Sequence, residues 1–170
     1  MESIRFNTTT IEALFGEAER ILLDNTNITE ALYTDFNPDT FDALNVELLS
    51  RAAGNAIVYC LWSGRDRGSM AAKYIGHAAG NISRQRIRAH LTRKNERTGA
   101  QLDKVKAVLL EGHCIGITMV RIEPPYMRKA LEEWLIAKNS ASLSWNRTGK
   151  IKGLLKQALG SNPTSNSPLP

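Results

Sequence analysis

Residues 56–62, Ala-Ile-Val-Tyr-Cys-Leu-Trp, and residues 72–77, Ala-Lys-Tyr-Ile-Gly-His, decide the fold of this chain. The first run is almost wholly apolar and too short for a surface helix, which is typical of a central strand buried on both faces. Between the two runs, Gly64 and Gly68 lie among charged residues, a composition that is typical of a turn. The sequence therefore predicts a long hairpin of two strands.

Helical patterns flank this hairpin. Each shows a capping signal, a stop signal or apolar residues at helical spacing, and a third strand is predicted at residues 114–122. The predicted helices lie near residues 9–22, 37–54, 83–95, 98–112 and 127–135, with a basic helix at 149–160. The predicted class is α+β: a small, mostly antiparallel three-stranded sheet flanked by helices, with an added N-terminal helical segment.

Charge divides the chain into two parts. Residues 1–50 carry 2 basic and 10 acidic side chains, whereas residues 51–170 carry 20 basic and 7 acidic ones. A basic body of this kind indicates a polyanionic partner such as nucleic acid.

Four segments are predicted along the chain. They are an acidic helical segment at 1–54 packed on the core, the core at 55–148, the basic helix at 149–160, and a disordered tail at 161–170. Apolar stripes of the first segment are expected to be buried. The stripe residues are Ile11, Leu14, Phe15, Phe41 and Leu44.

Membrane association is not expected from the sequence. The chain has no long apolar span, no signal-peptide pattern and no lipidation motif, so a soluble, cytoplasmic protein is the simpler interpretation. Its two cysteines, Cys60 and Cys114, lie in apolar runs and are expected to be free thiols. Their spacing from His77 and His113 does not fit a zinc site.

Basic side chains cluster on the helix predicted from Ser83. A 100° step per residue places Arg86, His90 and Arg93 on one flank and Arg84 and Arg88 on the other. Both flanks could face a phosphate backbone, although arginines also commonly solvate an exposed helix while a histidine packs or caps. The candidate nucleic-acid-binding residues are Lys73, Arg84, Arg88 and Arg93.

Glu132 is a candidate metal ligand. It borders the apolar stripe of the last core helix, whereas Glu133 is expected to point to solvent. A carboxylate at such a buried border suits a divalent cation. Alternatively, Glu132 pairs with Arg128 or Lys129 on its own helix.

Taken in order, Tyr59, Tyr74-Ile75-Gly76, Arg86, His90, Glu132 and Asn146 resemble the GIY-YIG nuclease family, over about residues 55–148. The resemblance implies that both tyrosines share one sheet face and that these six positions form the catalytic site. It also implies a single Mg²⁺ held by Glu132. Arg86 is then expected to contact the phosphate, Tyr74 to orient water or phosphate, and Asn146 to brace the site.

Tyr59 is the expected general base. Because a tyrosine has an ordinary pKa of about 10, its phenolate would need support from Lys73, Arg86 or the metal, or His90 would pass its proton onward.

The predicted function is metal-dependent hydrolysis of DNA, in a compact restriction-type endonuclease. A double-strand break would need two sites, most simply in a homodimer, or sequential nicking. The alternatives are a non-catalytic nucleic-acid-binding module and a repair or toxin nuclease with the same site. A protein-interaction role of the acidic helices also stays open.

Overall fold

The structure is a computed structural model that describes residues 9–92 and 101–146. In this part, the helices are α1 (Thr9–Leu22), α2 (Pro38–Leu44), α3 (Val46–Ala52), α4 (Ser83–Thr92), α5 (Leu102–Leu110) and α6 (Met127–Lys138). The strands are β1 (Thr29–Ala31), β2 (Ile57–Gly64), β3 (Ala71–Ala78) and β4 (Cys114–Arg121). The predicted basic helix at 149–160, the tail at 161–170 and Arg93 lie outside the described residues.

The strands form one sheet in the order β1-β4-β2-β3, and every pairing is antiparallel. The predicted hairpin is confirmed: β2 and β3 pair directly, with Tyr59 opposite Gly76 and Leu61 opposite Tyr74. The α+β class is also confirmed, but the sheet has four strands rather than three. The additional strand is β1, which has only three residues and pairs with β4.

The central strand β2 is buried along its whole length. Its alternate side chains Ile57, Tyr59 and Leu61 pack in one core with residues of α2, α3, α4 and α5. Those between them, Val58 and Cys60 among them, pack in a second core with α1 and α6. Burial on both faces explains why this stretch is continuously apolar instead of alternating.

The helix predicted over residues 37–54 is divided at Asn45. Its N-terminus is as predicted, with Asn37 accepting a hydrogen bond from the N–H of Asp39. The Asn45 side chain bonds to both backbone groups of Leu32, at 2.8 Å each, and to the Phe41 carbonyl. This long-range pairing holds Asn45 in a non-helical conformation, with φ −117° and ψ 31°.

Burial of the N-terminal stripe is uneven. Phe41 is buried against the core, whereas Leu14 and Leu44 are 60% and 40% exposed, so the expectation that both are buried was wrong. Ile11 and Phe15 are partly buried. Across residues 9–92 and 101–146, the structure contains no helix with the length and apolar character needed to cross a bilayer.

Candidate active site

The structure brings Tyr59, Tyr74 and His90 together on the α4 side of the sheet. The ring centroids of the two tyrosines are 6.2 Å apart, and those of Tyr74 and His90 are 5.1 Å apart. The Tyr59 hydroxyl lies 2.7 Å from His90 Nε2. Tyr59 and His90 are both fully buried, and Tyr74 is 9% exposed. The pairing of β2 with β3 and one face of α4 therefore bring these three rings together.

The hydrogen bonds of His90 fix its tautomer. The Gln101 backbone N–H, which can only donate, lies 3.2 Å from His90 Nδ1. Burial, followed by the nearby positive charge of Arg86, lowers the pKa of His90 to about 3, so its ring is neutral. The ring proton is therefore on Nε2 and is donated to the Tyr59 oxygen. This geometry contradicts the expectation that His90 accepts the proton of Tyr59.

Arg86 joins the two tyrosines. Its guanidinium donates hydrogen bonds to the hydroxyls of both Tyr59 and Tyr74. Arg86 is half-buried at the end of the first turn of α4, one turn before His90. A cationic fork of donors is thus held beside the two phenol hydroxyls.

Tyr59 is protonated at neutral pH in this environment. Burial, with the neighbouring Tyr74 as a smaller cause, raises its pKa well above the ordinary value, although Arg86 acts in the opposite direction. Burial likewise raises the pKa of Tyr74. The expected support from Arg86 is present, but it does not outweigh burial.

Gly76 allows the Tyr59 hydroxyl to lie against the backbone of β3. A Cβ atom at this position would stand 2.6 Å from the Tyr59 hydroxyl oxygen and 2.7 Å from Tyr74 Cε1. Both distances are well inside ordinary contact. The glycine of the Tyr74-Ile75-Gly76 motif is therefore needed for space between the two rings.

His77 and Glu132 form a second polar pair, on the α6 side of β3. His77 Nδ1 lies 2.8 Å from Glu132 Oε2, and the side chains are 29% and 6% exposed. Since a carboxylate only accepts, Nδ1 carries the proton and donates it to this bond. Glu132 is buried at the border of the apolar stripe, as expected, and Glu133 is half-buried. No role was predicted for His77, because its partner is apparent only from the tertiary placement of α6 against β3.

Arg86 and Glu132 line one cleft from opposite sides of β3. The cleft has a volume of about 380 Å³, and His77, Gln85 and Arg128 also contribute to its wall. Ala78, Ala79 and Ala89 leave its floor without large side chains. Two cationic groups and one carboxylate in a single depression suit a phosphate bound together with a cation.

Asn146 is hydrogen-bonded to the outer edge of the hairpin, at β3. Its side-chain oxygen accepts from the Ile75 N–H, and its side-chain amide donates to the Ile75 carbonyl, both at 3.0 Å. Next to it, the Trp145 N–H donates to the Lys73 carbonyl at 2.8 Å. Asn146 therefore fixes the strand between Tyr74 and Gly76 and does not line the cleft described above.

The candidate nucleic-acid-binding residues differ in their surroundings. Arg84 is exposed on α4, and Lys73 is half-buried. Arg88 is 18% exposed and forms ion pairs with Asp42 at 2.8 Å and Asp39 at 3.6 Å. Arg88 thus attaches α4 to the acidic helix α2, and these ion pairs compete with the predicted phosphate contact.

The cleft wall supplies the carboxylate of Glu132 as a ligand for Mg²⁺. The described residues include no group of three or more His, Cys, Asp or Glu side chains placed to hold a metal ion. Mg²⁺ commonly uses one or two carboxylates, with water and substrate phosphate as its other ligands. Glu132 in the cleft wall fits that arrangement, in which the substrate completes the coordination.

Comparisons of this chain with protein-family models, with curated proteins and with solved structures found no match.

Proposed function

We propose that the protein is a metal-dependent endonuclease that hydrolyses DNA phosphodiester bonds, as the resemblance to GIY-YIG nucleases implies. The observation that carries this proposal is that Arg86 and Glu132 line one cleft. Arg86, hydrogen-bonded to Tyr59 and Tyr74, lies on one side, and Glu132, held by His77, lies on the other. These groups come from β2, β3, α4 and α6. A cation site beside a phosphate-binding arginine and phenol groups is suited to phosphodiester hydrolysis.

Glu132 would hold a single Mg²⁺, which supplies positive charge to the phosphate oxygens when it is bound. His77 has a positioning role because its Nδ1–H orients the Glu132 carboxylate. Asn146 positions Tyr74 through the Ile75 backbone. These contacts favour a preformed site, which costs less reorganisation when the substrate binds.

Arg86 would bind the scissile phosphate. It is half-buried, lines the cleft and already presents its donors beside two hydroxyl groups. Tyr74, the less buried of the two tyrosines, would orient water or phosphate. Tyr59 acts as a base only if the bound complex adds more positive charge than Arg86 provides, because burial keeps it protonated.

His90 is a hydrogen-bond donor in this scheme. Its Nε2–H stabilises negative charge on the Tyr59 oxygen, and its neutral ring does not take up the proton. His90 therefore supports the Tyr59 oxygen by hydrogen bonding and not by proton transfer.

The proposed enzyme is a compact restriction-type endonuclease that acts on DNA in the cytoplasm. One site cuts one strand, so a double-strand break requires a homodimer or two successive nicks. A repair or toxin nuclease would use the same groups.

The test is cleavage of plasmid and phage DNA with and without Mg²⁺, using wild type, Glu132→Gln and Arg86→Gln. Glu133→Gln, on the same helix, is the matched control. We expect metal-dependent cleavage by wild type and Glu133→Gln, and a loss of at least about 100-fold in the other two variants. Discrete fragments would support a restriction role, whereas nicking or smearing would favour another nuclease role.

A non-catalytic nucleic-acid-binding module is the second candidate. The complete burial of Tyr59, with its raised pKa, favours it over a base-catalysed reaction. DNA binding without cleavage, equal in all four proteins and unaffected by removal of Mg²⁺, would establish this alternative and refute the nuclease.

A further inference from the structure

Arg128 is a cationic side chain of the cleft that neither the sequence motifs nor the proposed mechanism uses. It lies in the first turn of α6, four residues before Glu132, so both project from the same face of the helix. Both also belong to the cleft wall, together with Arg86 from α4.

Only part of the Arg128 guanidinium forms hydrogen bonds within the described residues. Its Nη1 donates to the Pro125 carbonyl at 2.5 Å, which anchors the side chain beside the start of α6. Its Nε is buried and has no hydrogen-bond partner among the described residues. Buried donors are nearly always paired in native proteins, and an unpaired one destabilises the structure until an acceptor arrives.

A purely structural role does not account for this arrangement. An arginine whose task was to fix the loop before α6 would have no need for its Nε to lie unpaired beside a cleft. A cation in the first turn of a helix is also opposed by the positive end of the helix dipole. The positive charge of Arg128 at this helix end becomes favourable when an anion with several acceptor oxygens occupies the cleft.

We propose that Arg128 is a second phosphate-binding residue, which contacts a phosphate adjacent to the one held by Arg86. This inference rests on the proposed function in taking nucleic acid as the ligand. Arg128 from α6 and Arg86 from α4 line the same cleft, so both can contact the backbone of one polynucleotide strand. Arg128 selects for a polynucleotide over a single phosphate ester.

The test is the salt dependence of binding of a short, fluorescently labelled DNA duplex in EDTA, where cleavage does not interfere. Arg128→Gln is compared with Lys129→Gln, which removes a charge from the neighbouring exposed position on α6. Loss of one phosphate contact lowers the slope of log Kobs against log salt by about 0.9, which is about eight-fold in affinity near 0.1 M salt. We expect this change for Arg128→Gln and little change for Lys129→Gln. Equal slopes in the two variants would overturn the inference.

Arg128→Lys gives a second, independent readout. It keeps the charge but not the planar fork, so we expect the wild-type slope with reduced affinity. A slope as low as that of Arg128→Gln would contradict a phosphate contact and indicate a disturbed fold.

Cleavage kinetics separate this inference from the proposed function. For an active enzyme, Arg128→Gln is expected to raise KM on plasmid DNA and to leave kcat nearly unchanged. If wild type binds but does not cleave DNA and Arg128→Gln still lowers the slope, the nuclease proposal fails and the phosphate contact stands. If wild type cleaves and Arg128→Gln has the wild-type slope and KM, the phosphate contact fails and the nuclease proposal stands.

Discussion

Replacement of Gly76 by alanine would test the packing at the centre of the site. The added methyl group would stand 2.6 Å from the Tyr59 hydroxyl oxygen and 2.7 Å from both Tyr59 Cζ and Tyr74 Cε1. Ordinary contacts between such atoms are about 3.5–4.0 Å, so the rings must move by roughly 1 Å. Overpacking of this kind costs about 1–3 kcal/mol. The movement would also break the 2.7 Å bond between Tyr59 and His90.

Two measurements follow from this displacement. The free energy of unfolding in urea should fall by about 1–3 kcal/mol, which corresponds to a melting temperature lower by several degrees. Mg²⁺-dependent DNA cleavage should fall by about 100-fold, because a 1 Å misplacement of reacting groups has an effect of that size.

Gly16→Ala is the matched control for this substitution. Gly16 lies inside α1, and a Cβ there meets no atom within 4 Å. Alanine should therefore stabilise the protein by about 0.5–1 kcal/mol and leave cleavage unchanged. Wild-type stability and activity in Gly76→Ala would refute the argument that the glycine is needed for space between the rings.

Three further predictions concern stability and binding. Because the pKa of His90 is lowered to about 3 in the folded protein, the unfolded chain binds its proton first as the pH falls. Stability should therefore be lost between about pH 6.5 and pH 3, by up to about 5 kcal/mol, and urea unfolding of His90→Gln should show a flatter pH dependence. Asn146→Asp replaces an amide donor with a carboxylate facing a backbone carbonyl, so thermal unfolding should show a loss of about 1–3 kcal/mol. Arg88→Met leaves Asp42 without its partner and should lower stability without altering the salt slope of DNA binding. Arg84→Gln, at an exposed position, should reduce that slope by about 0.9. Equal slopes for the two variants would contradict a structural role for Arg88 and a phosphate-binding role for Arg84.

Local patterns were sufficient to predict the main elements. The apolar run of β2 indicated a central strand, and Asn37 with Pro38 indicated the start of α2; both are present. The placement of Glu132 beside an apolar stripe also predicted its burial correctly. Each of these features depends on residues close together in sequence, which is why it could be predicted.

The remaining features depend on contacts between distant residues. The strand β1 has too few residues for a periodic pattern and exists through its pairing with β4. The tautomer of His90 depends on the backbone of Gln101, and the partner of His77 lies on α6. The ion pair of Arg88 likewise requires α4 to pack against α2. None of these partners has a signature in the local sequence.

The contacts of Trp145 and Asn146 with β3 restrict how two copies of the protein could associate. β3 is an outer strand, and outer strands tend to recruit strands from other chains through unpaired N–H and C=O groups. Here the outward-facing groups of Ile75 and the carbonyl of Lys73 are already bonded. At the other side of the sheet, β1 offers only three residues. Strand-to-strand association at the middle of β3 is therefore blocked, which favours helices or loops as the interface of any dimer that cuts both DNA strands.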